Sequence, residues 1–571
     1  MKNLILFLVI VLFTTNKISA QRVEIWSNQI FQIDTLSAKL SYPWEITYGP
    51  DDSLWVTEAR NYRVVKIHPH TGGKRTVLNL ANKKNFSRPD KSGGQWPQGG
   101  LMGLAIHPQF LSGKPYVYLS YVFRFDKCQS GNNGCFFNTR IVRYEYNFTN
   151  GQLEGETIML DSLPGSNDHN SGRMTIGPDM KLYYTIGDMG AGQFNNANRP
   201  NNAQVLHIYE GKILRLNLEH DNDPADPTDK YNGWIPNDNP FTYNGKKLAT
   251  YSYGHRNAQG IVWGKRNGVD ILYSSEHGDK SDDEVNIIQA GGNYGWPKVA
   301  GFCDDNYSTQ DPYPNNNKLA NQNITNETNF CNANNVIEPM FGLFKAPASQ
   351  IPADGSNIFT WPTIAPSSID YYDKYGIPGW NNSLLIPSLK YGLYRLKLRN
   401  DGMAVDSSST ADPVDTIPYF HGYRVRDIAI NPTGDTLYLA IDSTGNTSGP
   451  TGGFNGGGVI STQDGGNILR VVYMSTLSIQ DHQPVRRAIN NSDIKIYPNP
   501  ASQVVYVETP RGLHKPLKVQ MLDMAGRIVL HESTSRDNFS IDVSRMKKGV
   551  YVLRIFSGYE GLVKSEKIII Q

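Results

Sequence analysis

Hydrophobic and polar positions repeat along the chain as a three-part unit. One strand closes on a turn of Gly, Asp or Asn, a strongly apolar strand follows, and a third strand alternates. The copies open at Trp44, Leu101, Gly172, Gln259, Ser367 and Arg426. Their apolar second strands are Leu54-Trp-Val-Thr57, Tyr116-Val-Tyr-Leu-Ser120, Leu182-Tyr-Tyr-Thr-Ile186, Asp270-Ile-Leu-Tyr-Ser-Ser275, Ser383-Leu-Leu-Ile-Pro387 and Thr436-Leu-Tyr-Leu-Ala-Ile-Asp442. Units of this kind cannot bury their faces alone, and radial packing of six of them predicts an all-β, six-bladed β-propeller. A generic β-sandwich is the competing arrangement; the in-phase recurrence of the triplet favours the propeller. Irregular intervals predict long rim loops over 195–209, 220–247 and 303–352.

The ends read differently. Met1-Lys-Asn, an apolar run from Leu4 to Phe13 and small residues up to Ala20 predict a secretory signal peptide. That run is too short for a membrane anchor. A polar linker over 475–493 leads to Ile494-Lys-Ile-Tyr-Pro-Asn-Pro-Ala501. Alternating segments at Val504–Glu508, Val519–Leu522, Met524–Leu530, Gly549–Phe556 and Lys564–Ile570 then predict a small C-terminal β-sandwich. The expected organisation is therefore a signal peptide at 1–20, a propeller at 21–474, a linker, and a sandwich at 494–571.

Composition agrees with turns and strands: 53 Gly, 33 Pro and 32 Tyr in 571 residues. A net charge of +2 gives no reason to expect a nucleic-acid partner. Four cysteines in an exported chain predict two disulfides, and closeness in sequence suggests Cys128 with Cys135 and Cys303 with Cys331. Their spacing does not suggest zinc.

In an antiparallel blade, the start of the first strand and the end of the second share a rim. Those positions are Gln98, Asp168, His169, Arg256, Asn257, Thr363, Arg424 and Arg426, with Glu58, Asp188, Glu276, His277, Gly278, Asp279, Lys390 and Asp442. A lone arginine is usually solvated and a lone histidine usually forms a turn, but six units converging such groups on one mouth point to a site. The cations suggest a small polyanionic ligand gripped by guanidinium groups. The turn from Ser274 to Glu284 offers oxygen donors suited to Ca²⁺, although it lacks EF-hand spacing and a solvated acidic loop would look the same. Gly452 to Gly458 is glycine-rich, yet it neither follows a clear strand nor opens a helix, so it is not a dinucleotide loop. There is no nucleophile elbow and no helix-borne zinc motif.

Several blocks together resemble the soluble quinoprotein glucose dehydrogenases and their glucose/sorbosone dehydrogenase relatives. They are Gln98-Gly-Gly-Leu-Met-Gly-Leu-Ala-Ile-His-Pro108, Asp168-His-Asn-Ser-Gly-Arg173, Tyr183-Tyr-Thr-Ile-Gly-Asp188, Gly254-His-Arg-Asn-Ala-Gln-Gly260, Ser281-Asp-Asp-Glu-Val-Asn286, Gly291-Gly-Asn-Tyr-Gly-Trp-Pro297, Trp361-Pro-Thr-Ile-Ala-Pro-Ser-Ser368, Pro387-Ser-Leu-Lys390 and Tyr423-Arg-Val-Arg-Asp427. The resemblance covers Trp26 to Tyr473 and implies a propeller that uses pyrroloquinoline quinone (PQQ) and Ca²⁺. It implies that His169 is the general base for the sugar's anomeric hydroxyl, with Asp168 beside it, and that Gln98, Asp168 and Trp361 face the substrate. Arg256 would polarise the quinone carbonyl, and Asn257, Thr363, Lys390, Arg424 and Arg426 would hold the cofactor. Gly278 and Asp279 would ligate the active-site Ca²⁺, and Glu284, Tyr294, Ala300 and Asp304 a structural calcium. The implied reaction passes a hydride from the sugar carbon to the quinone while the base takes the hydroxyl proton. Asp279 stands where the best-known members carry proline, Ile358-Phe-Thr360 replaces a tyrosine-containing run, and 306–346 is an Asn-rich insertion.

The C-terminal module resembles the sorting domain of the type IX secretion system of Bacteroidota, through Tyr497-Pro-Asn-Pro500 and Gly549-Val-Tyr-Val552. The implied partners are a sugar, a quinone or redox-protein electron acceptor, the type IX machinery and a second copy of the chain as a homodimer; the implied location is secreted or cell-surface. A Ca²⁺-dependent propeller lactonase and a non-catalytic binding propeller are the rival functions. Neither would need His169 and Arg256 together with the Lys390/Arg424/Arg426 cluster.

Overall fold

The computed structural model describes residues 22–26, 29–86, 96–221, 231–279, 281–305, 326–343, 363–390, 392–406, 419–420, 422–443, 464–474, 494–509, 517–523, 528–557 and 561–571. The expected signal peptide, the linker and Trp361 lie outside these residues. Strand dominates, and a single α-helix, Glu327–Asn334, occurs among the described residues. It is capped by Asn326, whose side chain accepts from the Asn329 backbone N–H, and it ends at Asn335 in the left-handed conformation. The chain divides into two compact units, Leu36–Tyr473 and the residues up to Thr35 together with Met474–Gln571.

Besides a short hairpin of Thr242–Tyr243 with Lys246–Lys247, the described residues of the larger unit form six antiparallel sheets whose first strands open within three residues of the repeat's copies. The first runs Pro43–Tyr48, Leu54–Glu58, Arg63–Ile67 and Lys74–Asn79; the second Leu101–Ile106, Tyr116–Cys128, Cys135–Asn147 and Gln152–Gly165. The third runs Met174–Ile176, Lys181–Ile186, Lys212–Asn217 and Thr250–Tyr253; the fourth Ala258–Arg266, Val269–Glu276, Asp283–Ile287 and Phe341–Leu343. Asp370–Tyr372, Ser383–Ser388 and Gly392–Lys397 form the fifth, and Val425–Ile430, Thr436–Ile441 and Ile468–Met474 belong to the sixth.

The opening strands touch in sequence, and that of the sixth sheet touches that of the first. Apolar clusters fill the gaps between neighbouring sheets. Trp55, Phe110 and Tyr146 lie between the first two, Tyr118 and Ile141 meet Leu182 and Leu214, and Ile271 and Tyr273 meet Leu384 and Leu396. Ile46, Leu54 and Val56 pack on Ala429, Tyr438 and Ala440 of the sixth sheet. Each such fully buried side chain contributes about 1.5–3 kcal/mol over leaving it in water.

A buried arginine ties the opening strands together. Arg173, which precedes the third sheet, donates from Nη1 to Glu45 Oε2 (2.6 Å), Asp427 Oδ2 (2.8 Å) and the Trp44 carbonyl (3.4 Å). Its Nε donates to the Gln259 carbonyl (3.0 Å) and its Nη2 to that of Ser367 (2.9 Å). One guanidinium of the third unit thus engages residues of the first, fourth, fifth and sixth. Burial, together with the neighbouring Asp427, holds Glu45 well above the ordinary carboxylate range despite this partner.

The disulfides pair Cys128 with Cys135 and Cys303 with Cys331. The first closes a hairpin tip; the second fixes the helix to the loop after Pro297. In the smaller unit, one sheet orders Lys495–Tyr497, Val504–Glu508 and Asn538–Asp542. The other orders Ile528–Thr534, Leu517–Leu522, Gly549–Ser557 and Gly561–Ile570. Val505, Val507, Val519, Leu553, Ile555 and Ile568 form a core shared by both sheets.

Candidate active site

The loop between Gly165 and Met174 carries Asp168 and His169. His169 and Ser171 both take left-handed backbone conformations, with φ of 52° each. Such conformations cost non-glycine residues of order 1–3 kcal/mol and gather at sites where a side chain must be aimed. Gly187 permits this turn, because a Cβ there would stand 2.1 Å from the His169 carbonyl oxygen. The aim is at Asp188, the end of the third unit's second strand: His169 Nδ1 lies 2.8 Å from Asp188 Oδ1. A carboxylate only accepts, so Nδ1 carries the proton and Nε2 keeps its lone pair. Asp188 is in turn held by the Trp296 indole N–H (2.8 Å), Asn201 Nδ2 (3.1 Å) and the Gly190 N–H (2.9 Å).

The lone pair faces Gln193. Its amide nitrogen is 2.7 Å from His169 Nε2 and 2.6 Å from Asp168 Oδ2, while its carbonyl accepts from Arg256 Nη2 at 3.1 Å. Gln98 Nε2 donates to Asp168 Oδ1 at 3.3 Å, and Gln98 Oε1 accepts the Asn170 N–H at 2.9 Å. The four catalytic candidates, Gln98, Asp168, His169 and Arg256, therefore belong to one buried network. Asn201, which steadies Asp188, sits in a loop pinned by Lys212. The Lys212 ammonium donates to the carbonyls of Asn202 (3.1 Å), Ala203 (2.8 Å) and Glu210 (2.6 Å), and burial lowers its pKa to about 7.

A second set of cations comprises Arg424, Arg426 and Lys390. Arg426 Nη2 and Arg424 Nε share Asp442 Oδ2 at 2.6 and 3.1 Å. Arg426 also donates to Gln259 Oε1 (2.8 Å) and stacks over Trp44 at 4.4 Å. Burial lowers Arg426 to about 10, whereas the two guanidiniums overcome burial at Asp442 and hold it at about 2. Lys390 donates to the Thr363 hydroxyl; burial brings it to about 8, with Asp283 acting the other way. His277 lies within the fields of His169, Arg256 and Arg426, and burial first, then those neighbours, push it well below the usual imidazole value. Desolvated cations of this kind are stabilised by a bound anion, so the donor set fits a small polycarboxylate.

The turn after Glu276 is reached at His277 by the fields of both His169 and Arg426. Gly278 has no room for a side chain: a Cβ would meet the Ser281 carbonyl oxygen at 2.0 Å. Its N–H donates to Asp283 Oδ1 (2.9 Å), and Asp283 Oδ2 accepts the N–H groups of Ile364 (2.5 Å) and Ala365 (3.0 Å). Burial raises Asp283 to about 6. The Asp279 carboxylate takes a proton donor from Arg256 Nη2 at 3.2 Å. Asn257 accepts from the Ser171 hydroxyl at 3.0 Å.

The candidates for a second cation gather less tightly. Glu284 accepts the Gly301 N–H at 3.0 Å, and the Ala300 N–H donates to the buried Glu327 at 3.1 Å. Tyr294 spends its hydroxyl on the Ile287 carbonyl (2.6 Å), leaving its own carbonyl as the oxygen relevant to a metal. The Asp304 N–H bonds to the Phe302 carbonyl at 2.9 Å. Burial chiefly, then Glu276 and Asp282, hold Glu284 well above its ordinary value, a crowding that a cation would relieve. Among the described residues no cluster of three His, Cys, Asp or Glu side chains is arranged to hold a metal, so coordination here needs backbone oxygens.

Asp188 and Asp442 stand in the predicted rim set, but their partners are not legible there. Gln193 lies in a loop without periodicity and no sequence signal marks it; Asp283 and Trp296 fall inside the blocks quoted above but without an assigned role, and Glu327 opens the short helix behind its Asn326 cap.

The glucose/sorbosone dehydrogenase family description matches residues 40–327 and 348–448. The chain belongs to this family. Quinoprotein glucose dehydrogenase B of Acinetobacter calcoaceticus is 35% identical over 475 residues, covering 78% of this chain and 91% of that protein. An aldose sugar dehydrogenase of Escherichia coli (strain K12) is 24% identical over 420 residues, covering 72% of this chain and 91% of its own length. The crystal structure of the soluble aldose sugar dehydrogenase from Escherichia coli, in its apo form, overlays with a TM-score of 0.50 at 21% identity; 78% of this chain and 100% of that one are covered. Residues 495–571 match the secretion system C-terminal sorting domain. This family member therefore carries a tail that directs export to the surface or the medium.

Proposed function

We propose that the chain is a secreted, PQQ- and Ca²⁺-dependent aldose dehydrogenase that oxidises a glucose-like sugar at its anomeric carbon to the lactone. The six sheets, with opening strands touching in a closed sequence, support a six-bladed propeller from about residue 21 to 474 as its body. The two tail sheets on one core support a β-sandwich over 494–571, preceded by a linker. A signal peptide at 1–20 and type IX export in a member of the Bacteroidota complete the reading. The single observation that carries it is His169, held through Nδ1 by Asp188 and joined through Gln193 to the buried Arg256.

His169 Nε2 takes the anomeric hydroxyl proton once the sugar displaces the Gln193 amide, and Asp188 stabilises the imidazolium that results. Gln98, Asp168 and Trp361 orient the sugar. Arg424, Arg426, Lys390, Thr363 and Asn257 would hold the cofactor, and Arg256 would place positive charge where negative charge develops. Gly278 and Asp279 hold the catalytic Ca²⁺; Glu284, Tyr294, Ala300 and Asp304, joined by Glu327, hold a structural one. When bound, PQQ supplies the electrophilic quinone carbon that accepts the hydride and Ca²⁺ polarises its oxygen. Two electrons and two protons leave the sugar, and a quinone or redox-protein acceptor then takes the electrons; self-association as a homodimer belongs to the same reading.

Reconstitution of the full chain with PQQ and Ca²⁺, followed by dye reduction with glucose and other aldoses, tests this. Activity that disappears in His169→Ala with PQQ binding retained is the expected result. No PQQ binding and no quinone-dependent oxidation of any sugar overturns it.

A further inference from the structure

Behind Arg256 lies a chain of polar groups that the proposed chemistry does not use. Ser252 Oγ lies 2.8 Å from His255 Nε2, and His255 Nδ1 lies 3.0 Å from Glu276 Oε2. The other oxygen of Glu276 accepts the backbone N–H of Arg256. Because Glu276 only accepts, His255 carries its proton on Nδ1, and the Ser252 hydroxyl donates to Nε2. A serine, a histidine and a carboxylate in this order have the connectivity of a hydrolytic triad. Ser252 and His255 are 0% exposed, however, and Glu276 is 2% exposed, so no acyl group reaches the hydroxyl.

The surroundings fix these groups further. The His255 ring stacks on Tyr294, with centroids 4.6 Å apart and planes inclined by 24°. The His255 N–H donates to the Gly211 carbonyl at 3.2 Å, and a Cβ on Gly211 would meet the His255 carbonyl oxygen at 2.5 Å. Glu276 is the last residue of Val269–Glu276 and pairs with Ala258 at the start of the neighbouring strand. Its carboxylate therefore joins the strand start that presents Arg256 and Asn257 to the strand end that presents Gly278 and Asp279.

We propose that Ser252, His255 and Glu276 form a buried positioning relay that sets the Arg256 backbone, and through it the guanidinium, against the reacting centre. The relay rests on the dehydrogenase reading above. Its residues touch neither substrate nor cofactor; they act through Arg256. Outer groups that orient a working side chain are commonly worth about 10–100-fold in activity, and small misplacements of reacting groups have effects of the same size.

The test uses the full chain loaded with PQQ and Ca²⁺, with bound PQQ quantified by its absorbance. His255→Leu removes the donor to Glu276, His255→Asn retains a donor near the Nδ1 position, and Ser252→Ala removes only the hydroxyl. For His255→Leu, single-turnover reduction per bound PQQ is expected to slow about 10–100-fold, with KM little changed and a larger isotope effect on C1-deuterated glucose. His255→Asn is expected to recover most of the rate, and Ser252→Ala to lose a few-fold.

An unchanged rate per bound PQQ in His255→Leu, or equal losses in His255→Leu and His255→Asn, overturns the relay. If His255→Leu does not fold, Ser252→Ala decides: a few-fold slower transfer with unaltered melting supports the relay, and a wild-type rate overturns it. A wild-type chain that binds no PQQ fails the dehydrogenase reading itself, before any variant is compared.

Discussion

Replacing Arg173 by methionine keeps most of the side-chain volume and removes the guanidinium that joins five of the six units. Glu45 and Asp427 then lose their shared cation inside the protein, and the carbonyls of Gln259 and Ser367 lose their donors. Breaking a buried ion pair from one side costs about 3–5 kcal/mol, and orphaned carbonyls add to that where water cannot enter. A loss of about 4 kcal/mol is expected. For the unit from Leu36 to Tyr473, an unfolding entropy near 2.1 cal/mol/K per residue turns this into a drop in Tm of about 4–5 °C.

The deficit also has a sign in pH. Glu45 is already held above its ordinary value, and without Arg173 it rises further. A carboxyl raised in the folded state binds its proton there before it does in the unfolded chain, so stability falls as pH rises from about 4.5 through the folded pKa. Arg173→Met should therefore trail the wild type more at pH 8 than at pH 5, as read by scanning calorimetry of the full chain. Adding Glu45→Met should recover part of the loss. A Tm within about 1 °C of wild type at pH 8, or a deficit that does not shrink on acidification, would refute the idea that Arg173 holds the opening strands together.

Asp188→Asn should leave the fold and PQQ binding intact while lowering kcat about 10²–10⁴-fold, because the imidazole loses its tautomer and its counter-charge; stopped-flow reduction checks this. Lys390 is held near 8 by burial, so the free chain should bind PQQ more weakly as pH rises through about 8, where the ammonium discharges. Lys390→Met should flatten that dependence in an equilibrium titration. Added Ca²⁺ at about a hundred times its dissociation constant should stabilise the chain by about 2.7 kcal/mol, and Glu284→Gln should reduce the gain.

Apolar periodicity made the second strands legible, because Leu54–Glu58, Lys181–Ile186 and Thr436–Ile441 are buried along nearly their whole length. The fourth strands were not. Lys74–Asn79 exposes Lys74, Arg75 and Thr76 and carries no alternation strong enough to separate it from a loop. In the tail, Lys495–Tyr497 is too short to show a period. Rim positions identified Asp188 and Asp442, since strand ends follow from strand register. Which group each carboxylate serves depends on loops from other units, such as the one that delivers Gln193 to His169, and local pattern carries no record of those meetings.

The loop bearing Asn201 is fastened by the ammonium of Lys212, sitting among three carbonyl oxygens much as a small metal ion would. Below about pH 7, where Lys212 is charged, that loop carries its own cation. The two flanks of the mouth accordingly answer to different conditions. On the calcium reading proposed above, a chelator would empty the turn around Gly278 and Asp279, whereas Asp188 and His169 are aligned by protein groups alone. The Asp188–His169 pair thus keeps its shape without a metal.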